Sequence, residues 1–146
     1  MTAQELGTMF ASPNGLNSCE YDAWAFGDQP DLLAHLVATG EKTATASAYP
    51  LYEMDGEPLP EVGEYNIILD TDDNAVCITQ TTSVTVVPFH AITTEHARKE
   101  GEGDKSLAYW TQVHEAFFTA CMEEAGLEFT PDMKVVCEEF TVVFKP

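Results

Sequence analysis

The sequence predicts an α+β domain built on a small, curved or barrel-like sheet. Strand-like runs rich in β-branched residues are short and numerous. Segments with helical apolar spacing are inserted between them. No internal repeat, low-complexity tract or linker divides the chain, and 146 residues that are 45% apolar suit one domain with a real core.

Residues 1–19 are of mixed composition, with Pro13-Asn14-Gly15 as a turn signal. They are expected to form a peripheral arm or short helix ahead of a domain spanning 20–146. Asp28-Gln29-Pro30-Asp31 opens a helix: Asp28 can cap it and Pro30 is tolerated in its first turn. Leu32, Leu33, Leu36 and Val37 recur at helical spacing, and Gly40 ends the helix. Thr43 to Ser47, small and β-branched, is a strand. Residues 49–64, with Asp55-Gly56, Pro58 and Pro60, form a loop. Strands follow at Tyr65–Leu69, Ala75–Thr81 and Ser83–Val87, with Thr71-Asp72-Asp73-Asn74 as a turn. Thr93 or Thr94 caps a short helix running through Arg98, broken by Gly101 and Gly103. Asp104 caps a long helix to about Ala125, with Leu107, Trp110, Val113, Phe117 and Cys121 on its apolar stripe and Gly126 just beyond it. Val135–Phe144 closes the chain as a strand.

Composition excludes several classes. The net charge is −19, from 25 carboxylates against six lysines and arginines. Nucleic-acid affinity comes largely from cations that release counterions, so DNA is excluded as a partner and RNA is at most a weak one. No apolar run is long enough to span a membrane, and the start has no basic or hydrophobic leader, so a cytoplasmic location is expected. Cys19, Cys77, Cys121 and Cys137 form no paired spacing. They are read as reduced, mostly core thiols, with no metal site and no cofactor. A neutral small molecule or single nucleoside suffers no electrostatic penalty, and the chain is compatible with a homodimer.

Scarce cations point to the site. Four of the six fall in two short segments, Gly40-Glu41-Lys42-Thr43-Ala44-Thr45-Ala46-Ser47 and His96-Ala97-Arg98-Lys99-Glu100-Gly101-Glu102-Gly103-Asp104-Lys105. Threonine is a poor nucleophile until a base takes its proton, and a neutral lysine can be that base. Lys42 and Thr45 lie three apart, which on a regular strand would send them to opposite faces, so a twist or bulge is required. A neutral lysine also requires desolvation, which neighbouring carboxylates oppose. Glu100 can polarise water or hold the lysine ammonium. Gly101 and Gly103 would let backbone N–H groups approach a ligand. Arg98 and Lys105 are candidate substrate contacts, and Tyr49 and Tyr52 are candidates for stacking a planar base. His96 is read as orienting a loop and His114 as a helix-face contact. The same residues would also satisfy a purely structural reading, a Lys42–Glu100 ion pair with Thr45 as an ordinary strand residue.

From about Asp22 to Phe144 the chain resembles an ASCH domain (activating signal cointegrator homology), a branch of the PUA-like superfamily. The first cation-bearing segment carries the resemblance, with Pro60-x-Val62-Gly63-Glu64-Tyr65, Val87-Pro88-Phe89 and Glu100-Gly101-Glu102-Gly103-Asp104-x-Ser106-Leu107-Ala108-Tyr109-Trp110. It implies a small PUA-like β-barrel with flanking helices and a cleft usually discussed as RNA-binding. One branch of shorter chains removes the acetyl group from N4-acetylcytidine. Its lysine, threonine and glutamate resemble Lys42, Thr45 and Glu100 here, which the resemblance implies as catalytic residues. Other members resemble ribonucleases. This chain departs from the short amidohydrolases in its Glu100–Trp110 extension, and in Glu41, where the family often has a basic residue. The expected function is hydrolysis of a small nucleoside-like amide of the N4-acylated cytidine type. The alternative is an RNA- or nucleotide-binding module, or a ribonuclease, without that chemistry.

Binding to unstructured RNA at physiological salt is therefore expected to be weak and to fall steeply as salt rises. Micromolar, salt-insensitive binding in a fluorescence titration would contradict this and point to base stacking.

Overall fold

The computed structural model describes residues 1–11 and 21–146; the expected turn at Pro13-Asn14-Gly15 and Cys19 lie outside the described residues. Five strands form a mixed sheet in the order β1-β3-β4-β5-β2. They are β1 (Tyr21–Trp24), β2 (Ala44–Ala48), β3 (Tyr65–Leu69), β4 (Ala75–Pro88) and β5 (Lys134–Phe144). Strand β1 runs parallel to β3, and the other pairings are antiparallel. Register shifts at Ile68/Leu69, Ile78/Thr79 and Thr81/Ser83 bend the ladder. The two outermost strands, β1 and β2, consequently line one cavity. The sheet thus curls like a barrel but stays open along the seam between them.

Helices cover the sheet in three places. Helix α1 (Ala3–Ala11) sets Leu6 and Phe10 against Ile67 and Ile78. Helix α2 (Pro30–Thr39) packs Ala34 and Val37 on Ile68, Cys77 and Phe140. Helices α4 (Thr94–Glu100) and α5 (Leu107–Glu124) cover a third core, where Trp110, Phe118 and Met122 meet Phe89, Val135 and Cys137. Burial pushes the Cys77 thiol up to about 11 and the Cys137 thiol up to about 12, which keeps both protonated and inert.

Several local expectations need correcting. Residues 49–55 are helical (α3, Tyr49–Asp55): Pro50 occupies the first turn, where its missing N–H costs nothing, and Gly56 in the left-handed region ends the helix. The runs 75–81 and 83–87 are one strand, interrupted only by the bulge at Thr81/Ser83. The cap of α2 is Gln29, not Asp28, and uses no side chain. Helix α5 is capped by Ser106, whose hydroxyl accepts from the Tyr109 N–H, while Asp104 instead accepts from the Ser106 N–H. The buried stripe of α5 is Trp110, His114, Phe118 and Met122, one position round from the apolar spacing, because His114 is drawn inward by polar partners. Strand β1 was not foreseen, since Tyr21-Asp22-Ala23-Trp24 has neither alternation nor β-branched residues.

Gly101 ends α4 at φ 71°, and a Cβ there would collide with the carbonyl oxygen of Glu41, whereas Gly40 (φ 85°) has open space around it. Gly40→Ala is expected to cost about 1 kcal/mol from its left-handed backbone alone. Gly101→Ala adds a backbone clash and should cost at least about twice that. Urea unfolding midpoints of the two variants check the ranking.

Candidate functional site

The left-handed Gly40 turns the chain back under α2, and the Lys42 N–H donates to the Leu36 carbonyl at 3.0 Å. The Thr43 N–H then donates to the Lys99 carbonyl at 2.7 Å, clamping the approach to β2 against the last turn of α4. The two cation-bearing segments are thereby joined. Lys42 precedes the first ladder residue, Ala44, so strand alternation does not bind it, and its side chain turns inward.

Lys42 is 1% exposed. Its Nζ donates to Glu102 Oε2 at 2.8 Å, Glu100 Oε1 at 3.3 Å and the Glu100 carbonyl at 3.4 Å, and lies 5.4 Å from the centre of the Phe26 ring. Glu100, equally buried, is ringed by donors. Trp110 Nε1 donates to its Oε2 at 2.5 Å, and His96 Nε2 lies 2.6 Å from the same oxygen. His114 Nε2 lies 3.4 Å from Oε1. Helical spacing explains His96, four residues before Glu100 and held by the Thr93 cap. His114 Nδ1 donates to the Trp110 carbonyl at 3.0 Å, and the two rings stack with centroids 4.1 Å apart. Burial alone would raise the Glu100 carboxyl, but the Lys42 charge and the bonds from His114 and His96 outweigh it and hold Glu100 well below the ordinary glutamate range.

A second polar row runs across the sheet. Trp24 Nε1 donates to Asn66 Oδ1 at 3.0 Å, Asn66 Nδ2 to Thr81 Oγ1 at 3.5 Å, and Thr81 Oγ1 to Glu138 Oε2 at 2.7 Å. Glu138 pairs with Thr45 across β5 and β2, so the two side chains leave the sheet on one face. Burial, reinforced by the Glu64 charge, raises the Glu138 carboxyl against the Thr81 hydrogen bond. Burial and the Glu138, Glu57 and Glu64 charges likewise raise the Tyr52 phenol, which shares a 2.8 Å hydrogen bond with Ser47 Oγ.

Both rows open on one cavity of about 840 Å³ along the seam between β1 and β2, floored by α5. Lys42, Thr45, Glu100 and Tyr52 line it, so the predicted catalytic residues converge. The Thr45 hydroxyl has no hydrogen-bond partner among the described residues. The other predicted contacts lie elsewhere. Tyr49 sits under Lys134 Nζ, Arg98 pairs with Glu95 in solvent, and Lys105 is exposed. Gly101 donates its N–H to the Arg98 carbonyl, Gly103 lies against the Tyr109 ring, and neither lines the cavity to offer it a donor. Edge strand β2 can instead, because alternate N–H groups on an edge have no ladder partner. Sequence reasoning missed Glu102, His114 and Glu138. A histidine one position off an apolar stripe was the available signal for His114; nothing local marked Glu138. Ligand atoms of Glu100, Glu102 and His114 lie within 4.8 Å of one another, but the Lys42 ammonium already occupies the space between the two carboxylates, so this donor set does not fit a metal ion.

The chain belongs to the ASCH domain family, whose model matches residues 22–144. It is similar to an ASCH domain from Lactobacillus crispatus JV V101, with 32% identity over 95% of this chain and 94% of that one and a TM-score of 0.85. It is also similar to a protein from Enterococcus faecalis V583, with 36% identity over 93% and 84% of the two chains and a TM-score of 0.86. An ASCH protein from Zymomonas mobilis, 12% identical over 84% and 68% of the chains, shares the fold alone, with a TM-score of 0.54. No curated protein matches. The α+β, PUA-like fold expected from the sequence is the fold of these neighbours. No helix among the described residues is long and apolar enough to cross a membrane.

Because Glu100 is held ionised well below an ordinary glutamate's value of about 4.3, its contribution to stability is present above that value. It is lost as pH falls toward the depressed folded value. Glu100→Gln is expected to cost about 3–5 kcal/mol at neutral pH, since Lys42 stays buried with less charge compensation. It should also flatten the loss of stability below about pH 4. Urea unfolding as a function of pH checks both; an unchanged midpoint would exclude the role assigned to Glu100.

Proposed function

We propose that this ASCH domain hydrolyses an amide of a small nucleoside-like molecule, with Thr45 as nucleophile, Lys42 as base and Glu100 as the group that holds the lysine. The observation that carries the reading is the meeting of a buried lysine and an unpartnered threonine hydroxyl on one cavity of ligand size. Aromatic walls from Trp24, Phe26 and Phe117 suit a planar ring.

All three Lys42 donors are engaged, so the base must first be freed. In this reading the 2.8 Å contact with Glu102 Oε2 is the route: a proton passes from Nζ to that oxygen, and the charged pair becomes a neutral amine beside a carboxylic acid. Lys42 then accepts the Thr45 hydroxyl proton as Oγ bonds to the acyl carbon. The carbonyl oxygen becomes an oxyanion, for which backbone N–H groups on the free edge of β2, a strand that lines the cavity, serve as donors. The C–N bond breaks, leaving an ester on Thr45 that water hydrolyses to release the acid.

RNA binding is not favoured. Arg98 pairs with Glu95, Lys99 pairs with Glu139 and Lys105 is exposed away from the cavity, so these cations form no groove around it.

A hydrolysis screen over N4-acylated cytidines tests the proposal. Lys42→Ala is expected to lose activity by about 10²-fold or more, because base and electrostatic partner vanish together. Thr45→Ser should keep part of the rate and Thr45→Ala almost none. Turnover that survives Thr45→Ala would remove the nucleophile and leave a lysine-activated water.

A further inference from the structure

The hydrolysis just described leaves one requirement unmet. A departing amide nitrogen must receive a proton as its bond to the acyl carbon breaks, and Lys42 serves the nucleophile. We propose that Glu138 is a further catalytic residue of this cavity, the general acid that protonates the leaving nitrogen. This assignment rests on the amide-hydrolase reading.

The geometry points to Glu138 in three ways. It faces Thr45 directly across the β2–β5 ladder, where paired side chains stand about 5 Å apart at Cβ. A group attached to the acyl carbon under attack by Thr45 lies within its reach. Glu138 is 8% exposed and lines the cavity, and its Oε2 is fixed by the Thr81 hydroxyl. Oε1 has no partner, yet no fully buried polar side-chain atom lacks one among the described residues, so Oε1 opens on the cavity. The two carboxyls of the site also have opposite surroundings. Glu100 is ringed by Lys42, His96, His114 and Trp110, which hold it as an anion. Glu138 faces Glu64, the phenol of Tyr52 and a hydroxyl, with no cation against it, and both burial and Glu64 favour its protonated form. Paired titratable groups driven apart in this way separate into electrostatic and acid–base roles.

The proton balance closes. In acylation the Thr45 proton goes to Lys42, the C–N bond breaks, and the Glu138 carboxyl proton goes to the nitrogen, which leaves as a neutral amine. In deacylation water attacks the ester and gives its proton to the Glu138 carboxylate. Thr45 leaves with the proton held by Lys42, and all three groups return to their starting states. One amide and one water become one acid and one amine.

The test uses two substrates that differ in their need for an acid, N4-acetylcytidine and p-nitrophenyl acetate, whose p-nitrophenolate departs without protonation. Glu138→Gln is near-isosteric and keeps an acceptor for Thr81. It is expected to lower kcat on the amide by about 10²–10⁴-fold, and to change the ester rate by no more than a few-fold when that rate is read as the first-turnover burst of p-nitrophenolate, the acylation step that precedes any deacylation by Glu138. Thr45→Ala should abolish both. Equal loss on both substrates would show a merely structural role and overturn the assignment, and the retained ester rate is itself the control for folding. Unchanged amide turnover in Glu138→Gln, with Thr45→Ala inactive, would refute the general acid and leave the hydrolase reading intact. A wild-type protein inert toward both substrates would refute the two together.

Discussion

The ion pair between Lys42 and Glu100 organises the site. Two unit charges, each 1% exposed, are tolerated in a protein interior only when every donor and lone pair finds a partner. That demand reaches outward. It draws in Glu102 to complete the ammonium, and Trp110, His96 and His114 to complete the carboxylate. Those residues come from α4, α5 and the loop between them, so satisfying one pair of charges fixes where two helices sit on the sheet. The same pair meets the structural alternative left open by the sequence. It is an ion pair, and it also lines the cavity; the two descriptions refer to the same atoms.

The architecture of the sheet determines what surrounds that pair. Bulges curl the ladder until its outer strands approach, and the unclosed seam becomes the cavity. Within it the polar groups divide. On the α4–α5 side charge is compensated, and on the β5 side carboxyls face one another with no cation between them. In a chain with net charge −19, enclosure sets Lys42 apart from the surface carboxylates, and burial with Glu64 nearby favours the protonated form of Glu138.

Much of this was legible in the sequence, for local reasons. Caps, glycines and apolar periodicity act over a few residues, so α2, α4, α5 and β3 were recoverable near their true bounds. The cation-bearing segments were recoverable because lysine is rare in this chain. Helix α3 was hidden by Pro50 and Gly56, which punctuate a helix at its ends as readily as they mark a loop. Strand β1 was hidden because its formation depends on pairing with β3, more than forty residues away. The same limit concealed Glu138. Its proximity to Thr45 is a matter of ladder register between strands far apart in the chain, and no local pattern encodes register. Arg98 and Lys105 misled in the opposite way: nearness in sequence to Glu100 did not bring them into the cavity, because α4 and the left-handed turn at Lys105 carry them to the surface.

The open seam has one more effect. An exposed strand edge invites pairing with another chain, and proteins ordinarily blunt such edges with charge, proline or a bulge. Strand β2 has none of these, since its residues are Ala-Thr-Ala-Ser-Ala. It is sheltered by enclosure, because its free edge faces the cavity and the helix beneath it. The cavity is thus also the space that keeps foreign strands away, and filling it with larger side chains would remove the cavity and leave the shelter in place.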